Sequence, residues 1–388
     1  MTPVPLELPL RPADAAAVGN LVFDLAERKA LTEELRARLA GRAAVLRLTG
    51  MAPYFGSLER DPVHPSTYYL AVDGEGGQPL LLHMAPANAP TSGLFRKPLL
   101  VGRMPRPGGP EMVINCLPFG PGDGEEIEKF ASQTDPRLLP RPLGPRPAMV
   151  VESARPEVDF PVALEAFRGI AKRGGKNLAA LAGGPEAYPC AVWSAIRAGW
   201  REGYSAGTMI ALAGGMEAAR EAVRRSAGCS RFTAAIGRMI GSEFAPGLEA
   251  AAALQECIRQ TRSARKAGRS FDFELGLEGS PRPTSVADLE FCLGWMKARG
   301  HAVQLAAPEL GGAGNPAAAL AELAAVALQH GCTLSVAARA DHDNETLSAM
   351  GRATLGRVSY RLAAGMPAEG VAGLAGAIQR AATQLFGG

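Results

Sequence analysis

The chain has 388 residues, which is long enough to bury a large core in one or two domains. Its 41 basic and 38 acidic residues are mixed along the sequence and give a formal net charge of +3, which argues against nucleic acid and anionic lipid as partners. Six cysteines without a CxxC spacing, and the lack of an apolar stretch long enough to cross a bilayer, predict a cytoplasmic protein without a membrane partner.

Residues 1–147 predict a small β-rich module that follows an N-terminal helix. The helical pattern spans residues 15–42, and a linker with five prolines, residues 134–147, ends the module. Between them lie short β-like segments bounded by Pro and Gly turns. These segments are AAVLRLTG at 43–50, TYYLAVDG at 67–74, PLLLHMA at 79–85, KPLLVGRM at 97–104 and EMVINCLPFG at 111–120.

Residues 148–388 predict a (β/α)₈ TIM barrel. Short apolar runs alternate with longer patterns that place apolar residues at helical spacing, and this cycle repeats eight times. Strict alternation predicts a parallel sheet, and eight repeats favour closure, with an open doubly wound sheet as the alternative. The predicted strands are residues 148–153, 176–182, 204–213, 230–237, 270–279, 302–310, 333–341 and 358–365.

Three stretches of the chain resemble the tagaturonate/fructuronate epimerase family, whose members are metal-dependent sugar-acid enzymes built on a (β/α)₈ barrel. They are the segment 111–148, which leads into the barrel, AIRAGWREGYSA at 195–206, and FELGLEGSPRPTS followed by WMKARGHAVQLAAPELG within 273–311. The resemblance implies a divalent metal at the barrel mouth and a sugar acid as substrate, and it leaves room for a homo-oligomer.

Several ligand positions of the family are changed in this sequence. GTMIAL at 207–212 stands where the family carries Asp and His, and Ala234 and Ala235 follow Thr233 where it has an acid. The family's His positions on the seventh and eighth strands fall on Ala337 and Ser359, and Gly279 replaces a Glu. The metal site that the resemblance implies is therefore depleted.

The residues that remain define the candidate site. Relative to the family, Glu274 is kept, Glu278 stands for an Asp, Asp341 matches an Asp and His342 matches a basic residue. Epimerisation next to a carbonyl needs a metal to polarise oxygen and groups that move protons. We therefore expect Glu274, Asp341 and His342 as catalytic residues, and Glu274, Glu278 and Asp341 as metal ligands. A structural alternative is that the run Asp341-His342-Asp343 caps the helix that follows.

Two arginines near predicted strand ends are candidates for binding the substrate. Arg339 follows the seventh strand, and Arg361, which falls on a family Lys, lies on the eighth. A guanidinium binds a carboxylate through two parallel hydrogen bonds, and barrels often hold anions at this rim. The alternative is that each arginine pairs with a neighbouring acid such as Asp341 or Glu274.

These features leave two main functions open, and a third beside them. One is a divergent uronate epimerase or isomerase, which uses the remaining acids. The other is a catalytically inactive relative that serves as a binding or assembly protein, because small residues replace several ligands. A barrel that uses Arg and Glu without a metal is a third reading.

Overall fold

The computed structural model of the chain describes residues 51–54, 56–57, 59–61, 63–73, 79–88, 99–104, 110–172, 178–241, 243–265, 270–311, 316–339, 342–364 and 370–387. The predicted N-terminal helix, the predicted strand at 43–50 and the candidate ligand Asp341 lie outside these residues. Contacts divide the chain into two units. The first holds the residues up to Leu139 together with Val192–Arg201, and the second holds Pro140–Ala191 and Glu202–Gly388. The predicted domain boundary after residue 147 stays a prediction.

The first unit contains an antiparallel sheet of six strands and one helix. The strands are β1 (Met51–Pro53), β2 (Glu59–Arg60), β3 (Thr67–Asp73), β4 (Pro79–Pro86), β5 (Leu99–Met104) and β6 (Met112–Pro118), and the helix is α1 (Gly124–Thr134). The sheet order is β1-β3-β4-β6-β5, and β2 pairs with β3. Tyr68 and Phe119 contact Phe130 of α1 edge to face, at centroid distances of 5.3 Å and 5.5 Å, and all three rings are buried. Phe130 thus anchors a helix that the sequence patterns did not predict.

A network of charged side chains lies within this first unit. Arg201 pairs with Glu59 and, through Nε at 2.8 Å, with Asp135, which also binds Arg137. Burial raises the pKa of Glu59 to about 7, against the opposing charge of Arg201. The hydrogen bond from Arg137 is the main cause that lowers the pKa of Asp135 to about 2. The two acids that share Arg201 therefore have pKa values shifted in opposite directions.

The second unit is built on eight strands that each precede a helix along the chain. The strands are β7 (Met149–Ser153), β8 (Ala179–Gly183), β9 (Ser205–Ala211), β10 (Arg231–Ala235), β11 (Asp272–Gly276), β12 (Leu305–Ala307), β13 (Thr333–Ala337) and β14 (Val358–Ala364). The helices are α2 (Pro156–Lys172), α3 (Ala187–Ala198), α4 (Met216–Arg225), α5 (Ala245–Ala264), α6 (Val286–Ala298), α7 (Pro316–Gln329), α8 (Asn344–Ala353) and α9 (Gly370–Phe386). The residues of α3 from Val192 onward are grouped with the first unit.

The eight strands close into a parallel barrel, which confirms the predicted (β/α)₈ fold. The order is β10-β11-β12-β13-β14-β7-β8-β9, and β9 pairs back onto β10. Because parallel strands in a barrel are covered on both faces, their sequences are largely apolar without alternation, which is the pattern that the sequence shows. The open-sheet alternative is excluded by the closing pair. Among the described residues, none of the helices is both long and apolar enough to span a membrane.

The proline-rich segment at 140–147 is hydrogen-bonded to the amino-terminal end of the barrel. The backbone N–H groups of Leu143 and Gly144 donate to the carboxylate of Asp272, at 2.6 Å and 2.9 Å, where β11 begins. The Thr333 hydroxyl, at the start of β13, donates to the carbonyl of Pro145 at 2.9 Å. A segment without internal periodicity is therefore ordered by hydrogen bonds to the first residues of two strands.

Candidate functional site

The interior of the barrel is polar on one side, whereas barrels of this type are usually filled by branched apolar side chains. Successive side chains of a strand point to opposite faces, so residues two apart share the interior. Arg231 of β10, Glu274 of β11, Ser335 of β13 and Ser359 of β14 share a hydrogen-bonded cluster there, and all four are buried. An ion pair thus lies in the interior, which in most barrels is filled by apolar side chains.

Arg231 and Glu274 form the centre of this cluster. The Nε and Nη2 groups of Arg231 both donate to Oε2 of Glu274, at 2.9 Å and 2.6 Å. The Thr233 hydroxyl donates to the same oxygen at 2.7 Å. The guanidinium also donates to Ser335 at 3.1 Å and to Ser359 at 3.4 Å. One carboxylate oxygen of Glu274 is therefore fully engaged by the barrel itself.

The other carboxylate oxygen of Glu274 is in a different state. Oε1 is buried and has no hydrogen-bond partner among the residues that the structure describes. Burial alone raises the pKa of Glu274, but the charges of Arg231 and Arg361 outweigh it and lower the pKa to about 2. Glu274 is therefore an ionised acceptor at neutral pH, and an ionised acceptor that is buried without a donor is costly.

Arg361 of β14 is a second buried cation near this cluster, with only 6% of its side chain exposed. It pairs with Glu278 through Nη2 and with Glu152 through Nη1, the latter at 3.5 Å. Burial lowers the pKa of Arg361, but the charges of Glu274 and Glu278 outweigh this effect, so that the pKa lies above its ordinary value. Burial also raises the pKa of Glu278, although Arg361 opposes this shift. Arg361 thus lies among three carboxylates.

A cavity of about 390 Å³ opens at the carboxyl ends of the strands, above the ion pair. Its polar lining comes from four strands, β7, β9, β10 and β11. Small residues form much of the remaining wall. The lining includes Glu152, Ser153, Thr208, Arg231, Thr233 and Glu274, with Ala182, Gly183, Gly184 and Gly207 among the small residues. The small residues leave room for a compound of a few carbon atoms, and the acids and hydroxyls can bind hydroxyl groups.

The remaining predicted site residues lie elsewhere or fulfil a structural role. His342 Nδ1 lies 2.9 Å from the hydroxyl of Tyr360, and Tyr360, as the neighbour of Arg361, faces out of the barrel. Arg339 is exposed and donates to the carbonyl of Gly311. Asp343 caps α8 by accepting from the backbone of Thr346 at 2.8 Å, as the structural alternative predicts. Of the predicted residues, the structure brings Glu274, Glu278 and Arg361 together, and His342 and Arg339 contact other groups.

The described residues do not fit the metal that the sequence resemblance implies. A catalytic site for a divalent ion needs about three converging His or carboxylate ligands. No group of three or more His, Cys, Asp or Glu side chains in the described part of the chain is arranged to hold one. Arg231 occupies one oxygen of Glu274, and Arg361 lies against Glu278. Guanidinium groups thus take the positions beside both carboxylates.

The sequence reasoning missed Arg231 and Glu152. Arg231 has a visible signal, because it is a charged residue within a strand that is otherwise apolar and buried on both faces. Such a residue inside a barrel requires a partner of opposite charge. Glu152 carries a weaker signal, since an acid near the end of a barrel strand is common at the mouth.

Comparison with known proteins gives the fold. No protein-family model matches the chain, and no curated protein sequence matches it. Solved structures of the fructuronate-tagaturonate epimerase UxaE from Cohnella laeviribosi are similar to it. The structure with one glycerol aligns with a TM-score of 0.58 and 15% identity over 84% of this chain and 75% of that chain. The native structure aligns with a TM-score of 0.57 and 16% identity over 84% and 74%. The chain therefore shares the fold of the family that its sequence resembles.

Proposed function

We propose that this epimerase-like barrel binds a small sugar acid in its mouth cavity and does not carry out metal-dependent epimerisation. The observation that carries the proposal is the pairing of Arg231 with Glu274, which commits the one family acid kept on the fifth strand to an internal cation. A metal could bind only the remaining oxygen of Glu274, Oε1, and the guanidinium beside it would repel the cation. The described part of the chain offers no group of three or more His, Cys, Asp or Glu ligands to offset this repulsion.

The chemistry of the cavity supports a hydroxyl-bearing acid as the ligand. Oε1 of Glu274 is a buried acceptor that needs a donor, and a sugar hydroxyl supplies one. Glu152 and Thr208 add further polar groups to the wall. Arg361, which pairs with Glu152 of the cavity wall, matches a carboxylate. The ligand would lie with hydroxyls toward Glu274 and its carboxylate toward Arg361.

Calorimetric titration of the full chain tests the binding part of this proposal. Tagaturonate and fructuronate are the probes, and we expect binding that is the same with a chelator and with added Mn²⁺, Zn²⁺ or Ni²⁺. Ala182→Leu, which fills the cavity, should abolish the heat signal. Ala253→Leu, at an exposed position of α5, is the matched control and should bind like the wild type. If the protein bound neither acid, the proposal would be refuted.

The catalytic part is tested on the same samples. The protein is incubated with each uronate and with each of the three metals, and the products are separated by chromatography. We expect no metal-dependent interconversion. Interconversion that appears only with metal, and that is lost in Glu274→Gln, would overturn this part and restore the epimerase reading.

Metal-free proton transfer next to a carbonyl is a second candidate function. It is favoured by Glu152 and Glu278, which flank Arg361 and keep 34% and 33% of their side chains exposed. Such carboxylates can remove a proton from a carbon next to a carbonyl, and the adjacent guanidinium can stabilise the resulting enolate. Incubation of a uronate in D₂O, followed by NMR, tests it. Exchange of the hydrogen next to the carbonyl would support this function, and its absence would exclude it.

A further inference from the structure

We propose that Glu278 is an internal substitute for the ligand's carboxylate, which holds Arg361 until a sugar acid displaces it. The inference rests on the proposed function, because it concerns the same cavity and the same ligand class. It adds a specificity-determining residue. Glu278 would set how strongly the barrel distinguishes an acid from the corresponding neutral sugar.

The first observation concerns the edge of Arg361 that carboxylates prefer. A carboxylate binds a guanidinium best through two parallel hydrogen bonds, for example from Nε and one Nη. Nε of Arg361 is buried and donates no hydrogen bond to a residue that the structure describes. Nη2 lies against a carboxylate oxygen of Glu278. Glu278 thus engages one of the two donors on this edge and leaves Nε open for a ligand's carboxylate.

The second observation is the contrast in exposure between the partners. Arg361 is only 6% exposed, whereas Glu278 is 33% exposed. Arg361 lies within β14, and Glu278 lies beyond the end of β11, where the chain turns at Gly279 with a φ of 82°. Glu278 can therefore leave toward solvent and recover its hydration, while the guanidinium stays in place. A displaced carboxylate is less costly here than a displaced cation.

The charges around Arg361 make displacement a competition between like groups. Glu152, Glu274 and Glu278 already surround the two cations Arg231 and Arg361, so a ligand carboxylate that enters meets a net negative charge. Removal of the charge of Glu278 should therefore favour an acid and leave a neutral sugar almost unaffected. This difference between the two ligands is the signature of the proposed role.

Glu278→Gln tests the inference, with tagaturonate and its neutral counterpart tagatose as the two probes in calorimetry. We expect the variant to bind tagaturonate about tenfold more tightly than the wild type does, and to bind tagatose with unchanged affinity. Glu290→Gln, at an exposed position of α6, removes the same charge far from the cavity and controls for net charge. Glu278→Asp keeps the charge but shortens the side chain, and we expect it to shift the affinity for the acid in the same direction.

The outcomes separate this inference from the proposed function. If the wild type binds tagaturonate, and neither Glu278 variant binds it more tightly, the inference is wrong and the proposed function stands. An equal gain for tagaturonate and tagatose would also overturn it, because the effect would then not concern the carboxylate. If the wild type and all variants bind neither probe, the proposed function itself fails.

Discussion

The guanidinium of Arg231 donates two hydrogen bonds to a single oxygen of Glu274, from Nε at 2.9 Å and from Nη2 at 2.6 Å. Both side chains are buried inside the barrel, at 4% and 0% exposure. A buried pair of this kind does not by itself stabilise a fold, because desolvation offsets the attraction, but loss of one partner leaves an uncompensated charge. The pair therefore makes a sharp prediction about stability.

Single and double substitutions of this pair should be strongly non-additive. We expect Arg231→Met and Glu274→Leu each to lower the free energy of unfolding by about 3 to 5 kcal/mol, because each strands a buried charge. The double variant should lose much less than the sum of the two. Chemical denaturation of the four proteins measures the cycle. Additive losses would show that the two charges do not depend on each other.

Two glycines beside the site should respond in opposite ways to alanine. A Cβ at Gly237 would lie 1.9 Å from the carbonyl oxygen of Glu278 and 2.5 Å from that of Leu277, so the segment that carries Glu278 must move. We expect Gly237→Ala to cost about 1 to 3 kcal/mol of stability and to alter tagaturonate binding. A Cβ at Gly207 would meet its nearest atom at 3.5 Å. Gly207→Ala should leave stability unchanged or raise it by up to about 1 kcal/mol.

Both glycine variants are compared by denaturation and by calorimetric binding. Gly207→Ala serves as the control for stability only, since it adds the same methyl group to the same barrel but lines the cavity. Equal stability of the two variants would contradict the close approach of Gly237 to the backbone of Leu277 and Glu278.

Asp272→Asn should weaken the attachment of the proline-rich segment to the barrel. The carboxylate accepts from the backbone N–H groups of Leu143 and Gly144, and an amide in its place offers one acceptor oxygen instead of two. We expect a loss of about 1 to 3 kcal/mol. Thr333→Val, which removes one hydrogen bond to Pro145, should cost about 1 kcal/mol in the same denaturation experiment. A larger loss for Thr333→Val than for Asp272→Asn would refute this ranking.

Glu59 predicts a pH dependence of stability in the first unit. Burial raises its pKa from the ordinary value of 4.5 to about 7, so the folded chain keeps the proton at pH values where the unfolded chain has lost it. The contribution of Glu59 to stability should therefore be largest below about pH 4.5, fall as the pH rises to about 7 and then level off. The total change is roughly 3 kcal/mol at most.

The measurement is the difference in unfolding free energy between the wild type and Glu59→Gln at pH 5 and at pH 8. Because Gln does not titrate, we expect the wild type to lose stability relative to this variant as the pH rises. The comparison with Glu290→Gln, which lies on an exposed surface, should show no such change. A wild type that gains stability relative to Glu59→Gln with rising pH would mean that the pair with Arg201 outweighs burial.

Periodicity along the chain was enough to predict the barrel. Eight apolar runs that alternate with helical patterns matched the eight strands in order, because strand and helix periodicity depend on near neighbours and on burial of both sheet faces. The capping of α8 by Asp343 could also be predicted, since the residue it binds, Thr346, is three positions away. Helix α1 was not found, because it lies within a stretch rich in Gly and Pro.

Which charged side chains meet depends on the closed barrel and is not visible in the local sequence. Arg231 and Glu274 are 43 positions apart in the chain, and Arg361 reaches Glu152 and Glu278 only because β14 and β7 close the barrel. Such pairs depend on strand register and on the circular order of strands, neither of which local periodicity encodes. The acids of the candidate site were visible in the sequence, but their engagement by two arginines became visible only once the barrel was closed.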